Sequence, residues 1–141
     1  MIYFITFIIW CLYSSLFGIS DAYYWYSANV AKYSTQGFKF KDLHSLFFWK
    51  RSLVATVFSL LMSKGNLFFW LLIMICLGLS FPFFHNGFYY QTRNKIDSTK
   101  YPLGFRDMST TSIARINFTF ILRLLMLIFG IVGIIICYFN I

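Results

Sequence analysis

The chain has 141 residues, of which 60% are hydrophobic, 23% aromatic and only 11% charged. Soluble domains usually carry about 25% charged residues, so this composition excludes an ordinary water-soluble fold. Its apolar surface exceeds what so small a core can hide, and lipid is the natural solvent for the excess. The formal net charge is +8, from 12 Lys and Arg against four acidic residues, none of them Glu. Nucleic acid is not the partner this implies, because the cations flank apolar runs, where anionic lipid headgroups account for them.

The first apolar run, "IYFITFIIWCLYSSLFGIS", predicts a span over about residues 2–20. It lacks the basic start and A-x-A-like site of a cleaved signal peptide, so it reads as a retained helix. "DAYYWYSANVAKYS" (Asp21 to Ser34) continues helically, with Trp25 and the tyrosines at headgroup level and Gly37 as the breaker. "DLHSLFFWKRSLVATVFSLLMS" (Asp42 to Ser63) predicts a second span, about 43–63, with Asp42 as its N-cap. It spans only if Lys50 and Arg51 bend toward the headgroups. "NLFFWLLIMICLGLSFPFF" (Asn66 to Phe84) predicts the third span, about 66–84.

"FPFFHNGFYYQTRNKI" (Phe81 to Ile96) then reads as a membrane exit. Pro82 lacks a backbone donor, and His85, Asn86 and Gly87 make a polar turn. Tyr89 and Tyr90 join the aromatic belt, and Arg93 and Lys95 face phosphates on a short surface helix with Arg93 and Asp97 at i,i+4 spacing. Pro102 and Gly104 mark a turn. Ser109 to Ser112 offer N-caps for the last span, about 113–139, with Arg115 at its headgroup end.

The fold class is therefore all-α: one polytopic membrane domain over residues 1–141, a bundle of four transmembrane helices with short interfacial helices. Three spans plus one amphipathic helix lying on the membrane is the alternative. Four spans place both basic loops on one face, which the excess of Lys and Arg on the cytoplasmic side requires, whereas three would make both faces basic. The expected topology has both basic loops cytoplasmic and both termini outside, with a tight turn at Gly65.

Small residues indicate where helices meet. Ser52, Ala55, Ser59 and Ser63 form a stripe that permits close approach in lipid, as do Gly130 and Gly133, and Ser14, Ser15 and Gly18. Packing is the reading for all of them, with a serine-lined pore as the sharper alternative. Arg123 lies about five residues into the last apolar run, where a charge must snorkel or find a carbonyl or carboxylate. A polar cavity, ion path or partner interface is its alternative. Cys11, Cys76 and Cys137 read as reduced, buried residues. Asp21, His44 and His85 fall at one interface and contain the groups for a metal or proton site. Their spacing matches no metal signature, so ordinary hydrogen bonding is preferred and no cofactor is expected. The triplet "NFT" at Asn117 lies on the cytoplasmic side and is discounted as a glycosylation site.

The stretches "SDAYYWYS", "KFKDLHSLFFWKR" and "FPFFHNGFYYQTRNKIDSTKYPLGFRDMSTTSIARI" resemble small membrane proteins of phages and prophages, chiefly of Bacteroidetes. The resemblance implies a mobile-element setting and a bacterial inner membrane. It assigns no catalytic residue. The expected function is non-enzymatic, through self-assembly or binding of a membrane partner. A holin-like or other pore-forming permeabiliser is the alternative. A membrane enzyme using Asp21, His44 and His85 on a lipid-linked substrate is the third reading.

Overall fold

The computed structural model describes residues 2–29, 40–110 and 117–141. Four long helices account for most of them: α1 (Ile2–Asn29), α2 (Phe40–Ser63), α3 (Leu67–Ile96) and α4 (Phe120–Asn140). Each is long and apolar enough to cross a membrane, and the side chains they leave exposed are largely Leu, Ile, Val and Phe. That is the pattern expected where lipid replaces water around the bundle.

Helix α3 is the centre and packs against each of the other three. At one end of the bundle Tyr3 of α1 meets Tyr138 of α4, with ring centroids 5.3 Å apart. Toward the other end, Asp21 of α1 meets Arg51 of α2 and His85 of α3. Neighbouring helices in the chain therefore alternate in direction. The α2–α3 turn is tight, with Lys64 at φ 50° and Gly65 at φ 83°. Asn66 caps α3 by accepting from the amides of Phe68 and Phe69.

Small side chains mark the closest crossings. On α1, Thr6, Ser14 and Ala22 are buried in the same stripe as Tyr3 and Trp10. On α4, Arg123, Leu127, Gly130, Ile134 and Cys137 form a buried stripe at alternating steps of three and four. A Cβ on Gly130 would stand 2.6 Å from the carbonyl oxygen of Cys76, so only glycine admits α3 at this distance.

Three boundaries depart from the sequence reading. Helix α2 begins at Phe40, which puts Asp42 inside the first turn instead of at the cap. Helix α3 does not turn at His85–Gly87 but runs on through Pro82 to Ile96. Packing outweighs the local breakers here: His85, Gly87 and Thr92 are all buried, and the ring of Phe105 occupies the place where Gly87 would carry a side chain. Helix α4 starts at Phe120, not near residue 113, with Thr119 as its N-cap. Ser109–Thr110 instead pair antiparallel with Asn117–Phe118, forming short strands β1 and β2.

Candidate functional site

The bundle's most polar interior point lies where α1, α2 and α3 come together. Oδ2 of Asp21 accepts from Nη2 of Arg51 and lies 2.9 Å from Nε2 of His85. The side chains are 14%, 23% and 10% exposed for Asp21, Arg51 and His85. This is far from the solvent-screened regime in which ion pairs contribute little. A charge held this deep in a spanning bundle needs a partner, and each of these has one.

The junction extends into the loop before α4. Ser109 Oγ reaches the carbonyl of Phe118 at 3.4 Å. A carbonyl only accepts, so the hydroxyl donates there and receives the amide of Asn86 at 3.2 Å. Asn86 then turns its Oδ1 to Nδ1 of His85, 2.9 Å away. In this arrangement both ring nitrogens of His85 are engaged, one with Asn86 and one with the Asp21 carboxylate.

Aromatic rings surround the charges. Arg51 lies 4.6 Å from the ring centroid of Phe17 and 5.1 Å from that of Phe81. His85 stacks on Phe81 at 4.7 Å and an interplanar angle of 18°. Such contacts favour a desolvated cation by up to about 2 kcal/mol. About two turns further along α3, Arg93 sits 3.8 Å from the ring of Trp25 and 4.1 Å from that of Tyr101. It also donates to the Tyr89 hydroxyl at 3.3 Å.

Several residues therefore stand elsewhere than the sequence suggested. Arg51 turns inward to Asp21, and Arg93 is held among aromatic rings. Lys50 and Lys95 are exposed, while Trp25, Tyr89 and Tyr90 are half-buried. Arg93 does not pair with Asp97, whose carboxylate accepts from Thr99 and the Lys100 amide. Ala55, Ser59 and Ser63 are buried, and Ser52 is half-buried with its hydroxyl on the Phe48 carbonyl. Gly133 faces the Cys76 sulfur. The side chain of His44, and Arg115 altogether, lie outside the described residues.

Arg123 is fully buried in the first turn of α4. Its Nη2 donates to the carbonyls of Phe105 and Asp107 at 2.7 and 2.8 Å. The carbonyl pairing weighed from the sequence is present, made from the first turn of a helix that starts at Phe120.

Sequence reasoning missed three parts of the junction: Arg51, Asn86 and Ser109. Arg51 had a usable signal. A carboxylate and a guanidinium in adjacent apolar segments at matching depth satisfy each other, since either alone would be buried unpaired. No protein-family model matches the sequence, and comparisons with curated proteins and with solved structures find no match.

Proposed function

We propose that this chain is a non-enzymatic multi-pass protein of a bacterial inner membrane, encoded by a phage or related mobile element, that acts by assembling with itself or with a membrane partner. The observation that carries this reading is the closure of the polar junction. Oδ2 of Asp21 and both ring nitrogens of His85 are engaged inside the protein. A general base or metal ligand must offer an electron pair to an incoming group, whereas the contacts made by Asp21 Oδ2 and His85 tie three helices and a loop together. The lipid-facing helices supply the contact surface. The basic loops face the cytoplasm, following the distribution of Lys and Arg.

Two differently tagged copies, co-expressed and solubilised from native membranes, test the self-assembly arm: they co-purify at constant detergent-to-protein ratio. If neither a second copy nor any membrane protein is retained after crosslinking in intact cells, assembly is the wrong reading. Dye release from liposomes containing the purified protein would replace it with a permeabiliser.

A further inference from the structure

We propose that the cleft between α1 and α2 holds one phospholipid with an anionic headgroup. The cleft has a volume of about 360 Å³ and is lined by Tyr13, Leu16, Phe17, Ser20, Lys50 and Val54. Ligand pockets run from about 300 to 1,000 Å³, so it takes the glycerol region and the upper part of one chain, not a whole lipid.

The lining is graded like a lipid. Ser20 and Lys50 sit beside the junction residues Asp21 and Arg51, toward the end from which the basic loops leave. Tyr13 lies seven residues before Ser20, roughly 10 Å deeper at the rise of an α-helix. Leu16 and Val54 line the wall alongside. A phosphate at the shallow end meets the Lys50 ammonium and the Ser20 hydroxyl, and a chain lies along the apolar wall. Soluble phosphate has the same charge but nothing for the apolar wall of Leu16, Phe17 and Val54, so a lipid is the occupant that uses the whole lining.

The test is native mass spectrometry of the full chain in a neutral detergent. Phosphatidylglycerol, phosphatidylcholine of the same chains, and sodium phosphate are titrated separately. The wild type takes up one phosphatidylglycerol tightly and prefers it to phosphatidylcholine. Lys50→Gln reduces phosphatidylglycerol affinity about fivefold, the equivalent of one Lys near an anionic surface, and leaves phosphatidylcholine unchanged. Val54→Trp fills the cleft and removes the tight site for both lipids. Leu16→Trp, at a more exposed position, does the same if Val54→Trp folds poorly. Equal binding of the two lipids by the wild type, an undiminished preference in Lys50→Gln, or retention of the tight site in the filled variant that folds would each overturn the proposal. Uptake of sodium phosphate in the lipid's place would assign the site to a bare anion instead.

Discussion

Gly18 of α1 lies against the backbone carbonyl of His85 in α3, so closely that a Cβ on Gly18 would overlap the carbonyl oxygen. Asp21 is three residues further along α1, on the same helical face, and its carboxylate reaches the His85 side chain at 2.9 Å. The missing side chain at 18 is what brings the two helices near enough for this bond. A packing residue in the sequence thus sets the geometry of the polar junction.

Gly18→Val is therefore expected to force α1 away from α3. Overpacking costs about 1–3 kcal/mol, and here it also stretches the Asp21–His85 contact. The melting temperature of the purified protein in detergent should fall. Gly78→Ala is the control, because a Cβ there meets nothing within 4 Å and alanine is the better helix former by about 1 kcal/mol. Similar losses in both variants would show that the Gly18 crossing is not special.

The ion pair makes a second prediction. Breaking a buried pair leaves one charge uncompensated and costs about 3–5 kcal/mol, while replacing both partners by apolar residues is often neutral. Arg51→Leu alone and Asp21→Leu alone should each destabilise the protein strongly. The double variant should lose much less than the sum of the two, although His85 then lacks its acceptor. Unfolding in a denaturing detergent series measures all three. Additive losses would mean that Asp21 and Arg51 act independently.

The spans were legible because they depend on composition and length, which survive any arrangement of neighbours. The ends of the helices were not, because contacts distant in sequence decide them. Pro82 and the polar run His85–Gly87 look like a stop signal, yet Gly18 and Phe105 pack over that stretch and α3 continues. Ser109 looks like a helix cap, yet its hydroxyl bonds Asn86 and Phe118 across the junction. Asp21 and His85 were readable as neighbours from the topology alone. The inward turn of Arg51 was hidden, because a cation near a helix end serves equally well by snorkelling.

Asp97 carries a pH-dependent turn just beyond α3. Its carboxyl is held below the usual value of 3.8 chiefly by the Thr99 hydroxyl, and then by the Lys100 amide. A carboxyl depressed on folding contributes stability above its unfolded value and loses it as the pH falls through the lower folded value. The turn should thus be intact at neutral pH and open only below about the ordinary carboxylate range. The amide resonances of Thr99 and Lys100 should shift together in an acid titration, and Asp97→Asn should abolish that shift. Movement of those amides between pH 5 and 8 in the wild type would contradict the assignment.

Arg123 yields the last prediction. One nitrogen of its guanidinium donates to two carbonyls of the preceding loop, those of Phe105 and Asp107. The Asp107 carboxylate meanwhile accepts from the Gly104 amide at 2.6 Å. The loop is thus tied internally and then fastened to the first turn of α4. Arg123→Leu keeps the apolar bulk of the position but removes the donors, leaving two carbonyls to find water. Hydrogen exchange over residues 104–109 should accelerate, while exchange within α4 beyond Leu127 stays slow and the protein still inserts. Because Phe105 also packs against Phe83 and Phe88, the loop should loosen without detaching completely. If exchange in the loop is unchanged and ion flux across liposomes is altered instead, Arg123 belongs to a conduction path and not to a fastening between loop and helix.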